Sequence, residues 1–202
     1  MVRLSVIIPT RLPALPIDNV TLRTLDKQYW REFQIVIVPD VNQRGAGWAR
    51  NVGFATLGQG FPLTEYVLFS DDDIEWDYRA LGFMVDILDR HKDAAYTYCS
   101  YKVGHLLIGH QQFDANWLKR TNYISTMSVI RSVLFPGFDE TLKRFQDWEL
   151  WIRMLRSGYK GVYCGATLFQ TVRKPGITYN GPVDCTEAEF AVLKKHGDWI
   201  NS

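Results

Sequence analysis

The chain has 202 residues, with 23 Lys and Arg against 22 Asp and Glu and a formal net charge of +1. The basic excess expected of a nucleic-acid binder is therefore absent. At 47% hydrophobic and 14% aromatic, a chain of this length buries roughly 70% of its unfolded surface and needs no disulfide or structural metal to fold.

Cys99, Cys164 and Cys185 are widely spaced and form no CxxC pair. This excludes a zinc ribbon or disulfide framework and points to a reducing compartment. The apolar run Leu4–Ile8 stops at Pro9, too short for a signal peptide or a membrane span, and no other stretch approaches the length that either needs. The reading is a cytoplasmic protein without a transmembrane segment, with peripheral membrane contact left open.

Leu4-Ser5-Val6-Ile7-Ile8-Pro9-Thr10 is a nearly continuous apolar run, as in a strand buried on both faces of a parallel sheet. Residues 17–28 are expected to be helical. Gln34–Val38 reads as a second buried strand closed by Pro39-Asp40, and the turn cluster Asn42–Gly47 precedes a small-residue helix over Trp48–Leu57. Tyr66–Phe69 is a third strand, running directly into Asp71-Asp72-Asp73. A helix is expected over Trp76–His91 and a strand over Ala95–Tyr101. Residues 102–127 read as loop with short elements. A helix over Asp147–Arg156 stops at Gly158, and Gly161–Phe169 reads as a strand. Thr186-Glu187-Ala188-Glu189 has the form of a capping box opening a last helix to Lys195.

The strand–helix alternation over the first half predicts an α/β fold with a doubly wound, mixed but mostly parallel sheet. Such sheets bind ligands beyond the carboxyl ends of their strands. Thr10-Arg11, Asp40 and Asp71–Asp73 all fall there.

Three consecutive aspartates are electrostatically costly. Two charges about 4 Å apart repel by roughly 4 kcal/mol at an effective dielectric of about 20, and a following helix N-terminus offsets about 0.3–1 kcal/mol per charge. A divalent cation shared with a diphosphate resolves the conflict, and hard carboxylate oxygens suit Mg²⁺ or Mn²⁺. A solvated acidic turn resolves it too, and the triplet alone does not choose. On a helical wheel Glu149, Arg153 and Arg156 form a polar stripe, and Asp147 projects about 150° away from it, beside Trp151 and Met154. A carboxylate there is either a functional group or an N-cap. Arg11, Arg44 and Arg50 flank the first two turns and suit phosphate recognition. His91, His105, His110 and His196 show no metal-ligand spacing and read as structural or surface residues. Trp48, Trp148 and Trp151 read as core, Trp76 and Trp117 as more open. There is no GxGxxG, Walker loop or GxSxG.

Four segments in order resemble the family 2 glycosyltransferases: Leu4–Arg11 their opening strand and donor loop; Gly45-Ala46-Gly47-Trp48-Ala49-Arg50-Asn51-Val52-Gly53 their GxxxARNxG helix; Tyr66–Asp73 their DxD strand; and Phe138-Asp139-Glu140 with Gln146–Arg153 their "GFDE…EDWDLWLR" segment. The resemblance covers residues 4–170. It implies a single GT-A domain over 1–202, with a Rossmann-like nucleotide-sugar half up to about residue 100 and an acceptor half beyond. It further implies an inverting, metal-dependent hexosyltransferase moving a sugar from a nucleotide-diphosphate donor (UDP-linked favoured, GDP- or dTDP-linked also compatible) to a glycan or other hydroxyl acceptor. By position, Thr10, Arg11, Asp40, Arg50, Asp71 and Asp72 would bind the donor, Asp73 and Asp71 would hold Mn²⁺ or Mg²⁺, and Asp147 would be the catalytic base. Pro39-Asp40-Val41-Asn42 replaces the family's "DDGS", Gln146 replaces the Glu before the base, and Gln170 stands near the usual metal-binding His. A non-catalytic sugar-nucleotide or carbohydrate-binding module is the competing reading. A nucleotidyltransferase is disfavoured because Pro9–Pro13 lacks its Gly-rich loop.

Overall fold

The computed structural model describes residues 1–172 and 185–200. Eight strands form one mixed sheet: β1 (Leu4–Thr10), β2 (Phe33–Pro39), β3 (Tyr66–Phe69), β4 (Ile74–Trp76), β5 (Ala94–Val103), β6 (Leu106–Ile108), β7 (Val129–Arg131) and β8 (Lys160–Thr171). Their order is β2-β1-β3-β7-β5-β8-β4, with β6 paired to β5. The long ladders β1–β2, β1–β3 and β5–β8 are parallel, and the short ones that involve β4, β6 and β7 are antiparallel. Among the described residues six α-helices accompany the sheet: α1 (Val20–Asp26), α2 (Ala46–Ala55), α3 (Ala80–Arg90), α4 (Ala115–Leu118), α5 (Gln146–Arg156) and α6 (Cys185–Ile200).

The period of two along a strand decides which layer each residue joins. Leu4, Val6 and Ile8 of β1 and Tyr66 and Leu68 of β3 enter a core with Leu25 of α1 and Leu81, Met84, Val85 and Leu88 of α3. Ile7, Val67 and Phe69 point the other way, into a core with Ala49 of α2 and Trp148, Leu150, Trp151 and Met154 of α5. The sheet is thus covered on both faces, which is why β1 and β3 are almost wholly apolar. Trp148 and Trp151 are buried, and each indole N–H finds a backbone oxygen, Leu118 O at 2.7 Å and Ile124 O at 2.9 Å.

Local expectations failed where a partner distant in sequence intervenes. β2 is an edge strand, and Ile37 is 38% exposed rather than buried on both faces. The helix expected from Trp76 begins at Ala80. Trp76 belongs instead to β4, opposite Phe169 of β8, and its indole donates to Ser70 Oγ at 3.1 Å. It is buried, not open. Asp77 makes the turn that follows, accepting from Arg79 N at 2.9 Å. The last helix starts at Cys185, one residue before the expected Thr186 cap, and continues past Lys195 to Ile200.

Close packing of α2 on the sheet depends on Gly53. A Cβ there would lie 2.5 Å from Ile7 Cγ2 and 2.9 Å from Val38 Cγ2. Gly53→Ala gains up to about 1 kcal/mol of helix propensity but overpacks at a cost of about 1–3 kcal/mol. The expected outcome is a net loss of about 1–2 kcal/mol, read as a lower urea midpoint at unchanged slope.

Candidate functional site

Parallel pairing brings three strand ends to one edge. Thr10 of β1 lies opposite Pro39 of β2, Ile7 lies opposite Phe69 of β3, and Asp40 N donates to Thr10 O at 2.7 Å. Asp40 is 5% exposed, and its two carboxylate oxygens accept from Arg44 N (2.9 Å) and Gly45 N (2.7 Å). It therefore shapes the turn into α2 rather than presenting an open carboxylate. The Arg44 guanidinium lies over the half-buried Trp48 ring at 4.7 Å, and Arg11 is exposed.

The acidic triplet is half-buried and pinned on all sides. Thr21 Oγ1 donates to Asp71 O (3.1 Å), Asn19 Nδ2 donates to Asp72 O (2.8 Å), and Asp73 O accepts from Val172 N (2.9 Å). Among the side chains, Asp71 Oδ1 accepts from Arg50 Nη2 at 2.6 Å and Asp72 Oδ2 from the Thr10 hydroxyl at 2.7 Å. A guanidinium and a hydroxyl, not bulk water alone, therefore relieve the mutual repulsion of the triplet. It is not a wet surface bend.

Arg50 links the triplet to α5. It is 6% exposed, and its Nη1 donates to Gln146 Oε1 at 3.2 Å. Gln146 Nε2 donates in turn to Leu142 O at 2.6 Å. An amide can do both; an ionised Glu cannot donate. The Phe138 ring lies beneath the guanidinium at 5.2 Å. Phe145, just before α5, sits at φ 55 and ψ 29, a left-handed conformation shared among the non-glycine described residues only by Gln43 in the turn before α2.

Asp147 is the second residue of α5 and not its N-cap, a position held by Phe145 without a side-chain bond. It is half-buried. Its Oδ1 accepts from Trp148 N at 2.9 Å and from Asn122 Nδ2 at 3.1 Å. Burial pushes its carboxyl above the usual range, while those two donors and the charge of Arg50 pull it back. The reading of residues 102–127 as loop gave no reason to single out Asn122. Its only sequence signal is an amide in an irregular segment.

The polar stripe expected on α5 faces solvent only in part: Arg156 is exposed and Arg153 half-buried, but Glu149 is covered. Glu149 is 3% exposed, salt-bridged to Arg153 at 2.9 Å and in contact with His196 Nε2 of α6 at 3.3 Å. A wheel drawn for one helix cannot know that another will cover it. His196 is structural, as read, and burial pushes its pKa below the ordinary value, with Arg156 and Arg153 acting in the same direction and Glu149 opposing. A depressed histidine pKa means that the unfolded chain binds the proton more readily. Its contribution to stability is complete above the unfolded value of about 6.5 and falls as pH drops from there toward the folded value. His196→Gln should therefore flatten the decline in urea midpoint between pH 7.5 and pH 5.

Gln170 does not approach the triplet through its side chain. It faces Glu75 across the β4–β8 ladder, donating from Nε2 to Oε2 at 2.5 Å, and lines a cleft of about 280 Å³ with Trp76, Lys102 and Thr167. Among the described residues, no three His, Cys, Asp or Glu side chains converge as a metal cage. Asp71, bonded to Arg50 through Oδ1, has a side chain 42% exposed, an open carboxylate rather than part of a closed cage.

The chain has the GT-A fold. Among solved structures it is similar to S. aureus TarS 1–349 in complex with UDP-GlcNAc, with a TM-score of 0.70 and 18% identity over 96% of this chain and 65% of that one. The mannosyltransferase PcManGT from Pyrobaculum calidifontis, in complex with GDP-Man and Mn²⁺, gives 0.66 and 16% identity, covering 86% of this chain and 58% of that one. GalNAc-T7 with UDP, GalNAc and Mn²⁺ gives 0.65 and 13%, covering 99% and 49%. The chain spans 72% of the TarS 1–349 chain bound to UDP and 44% of the longer TarS chain. No protein-family model matches the sequence, and no curated protein matches it. No helix among the described residues is long and apolar enough to cross a membrane.

Proposed function

We propose that this chain is an inverting glycosyltransferase of the family 2 type, moving a sugar from a nucleotide-diphosphate donor to a hydroxyl acceptor. The observation that carries the reading is the bonded relay from Asp71 through Arg50 to Gln146, the residue beside Asp147, at the carboxyl edge of a GT-A sheet. It couples a carboxylate turn suited to diphosphate to a half-buried base.

Thr10 and the turn shaped by Asp40 hold the nucleoside, and Arg11 and Arg50 supply positive charge to the phosphates. Asp71 and Asp73 are the metal-facing carboxylates, with Asp72 tied back to Thr10. A divalent cation, Mn²⁺ or Mg²⁺, bound with the diphosphate would neutralise charge on the leaving group. Asp147 Oδ2 accepts the proton of the attacking hydroxyl, which approaches the anomeric carbon from the face opposite the nucleotide. A carboxyl raised above its usual range is a stronger base than an exposed aspartate. A binding module without chemistry has no use for one.

The test is a thermal shift against UDP-, GDP- and dTDP-sugars with and without Mn²⁺. Ligand at a hundredfold its dissociation constant adds about 2.7 kcal/mol, which for a chain of this size raises Tm by about 5–10 °C. A metal-dependent rise with one nucleotide class supports the reading and identifies the donor base. No rise with any of them overturns it.

A further inference from the structure

Asn122 lies 25 positions before Asp147 in sequence, outside every motif that points to the site. Its side chain spends one hydrogen bond, from Nδ2 to Asp147 Oδ1 at 3.1 Å, and its own Oδ1 is buried without a partner among the described residues. An amide kept for packing or turn formation satisfies both ends; this one satisfies only the end that touches the carboxylate. Its orientation is dictated by chemistry, because the flipped amide would set its oxygen against Asp147 Oδ1. Trp148 N binds the same Oδ1 at 2.9 Å. Two donors thus converge on one carboxylate oxygen, fixing the rotamer of Asp147 and leaving Oδ2 as the oxygen free to take a proton.

We propose that Asn122 is the positioning residue of Asp147, selecting Oδ2 as the basic atom and keeping the carboxylate ionised in its half-buried setting. The proposal rests on the reading of Asp147 as the base. Asn122 lies after α4 in the segment between β6 and β7, so the acceptor-side half of the chain sets the base while the donor-side half sets the leaving group. The charge of Arg50, from α2, also lowers the Asp147 carboxyl. The Arg50 contribution is unchanged in any Asn122 variant, which isolates the amide.

The experiment measures the Asp147 carboxyl directly, by NMR of protein labelled at the aspartate side-chain carbon, with Asp147→Asn identifying its signal. Asn122→Ala removes the donor, and Asn122→Asp removes it at constant shape while adding a like charge. The Asp147 titration midpoint should rise by about one pH unit in the first and further in the second. With the donor sugar that the thermal shift selects, the acid limb of turnover should move up with it. At pH values below the midpoint kcat should fall by up to about tenfold with the donor KM unchanged, and the loss should be recovered as pH rises past it. A midpoint that stays put in both folded variants overturns the proposal. A midpoint that moves in protein that turns over no nucleotide sugar upholds the positioning and counts instead against the transferase reading.

Discussion

Asp147→Asn is expected to lower glycosyl transfer about a thousandfold while leaving donor affinity intact. General-base catalysis contributes about 10²–10⁴ in rate, and an amide oxygen does not take the proton. The substitution keeps the shape of the site, because Oδ1 of the new amide still accepts from Asn122 and Trp148 N. Burial holds the folded carboxyl above its usual range. The ionised form at neutral pH therefore weakens the fold: the contribution to stability is complete below the unfolded pKa and is lost as pH rises through the folded one. Asp147→Asn should accordingly be at least as stable as the parent at pH 7, as expected of a residue placed for chemistry. Single-turnover release of nucleoside diphosphate, together with a urea midpoint, checks both halves. Unchanged turnover would refute the assignment. A large drop in stability would show that the role is structural.

Arg50→Leu should abolish the donor-induced rise in Tm and lower stability by about 1–3 kcal/mol. Breaking a fully buried ion pair costs about 3–5 kcal/mol, but the Asp71 side chain is 42% exposed and can be rehydrated once its partner is gone. What cannot be rehydrated is Gln146 Oε1, which loses its donor in a buried position. The smaller range therefore applies. Arg50→Lys keeps a charge near Asp71, yet a point-like ammonium cannot fork between Asp71 and Gln146 as the guanidinium does. It should regain part of the donor response and little of the stability. A donor response in Arg50→Leu equal to that of the parent would remove Arg50 from the phosphate site.

The half of the candidate site built from motifs is legible in the sequence. Thr10, Asp40 and Asp71–Asp73 were placed at strand ends because continuous apolar runs announce strands buried on both faces, and chain order then sets where they stop. Arg50 and Asp147 were picked out by resemblance and by helical phase. How each group is used was not legible. Asp40 is bonded to the turn before α2, Asp72 is tied to Thr10, and Gln170 faces Glu75 instead of the triplet. Asn122 carried no positional signal, since an irregular segment has no period from which its direction can be read.

The sequence by itself determined the layering of this protein: the continuous apolar runs of β1 and β3 require cover on both faces, and helical patterns state which face of α2 and α3 is apolar, whatever the rest of the chain does. Only the tertiary structure decided the three-residue strands β4, β6 and β7, the edge position of β2 and the burial of Glu149 beneath His196. Apart from β6, which closes a hairpin on β5, those features exist through partners tens of residues away. Three residues cannot fix a strand, and one helix cannot register its cover, until the long-range contacts that stabilise them have formed.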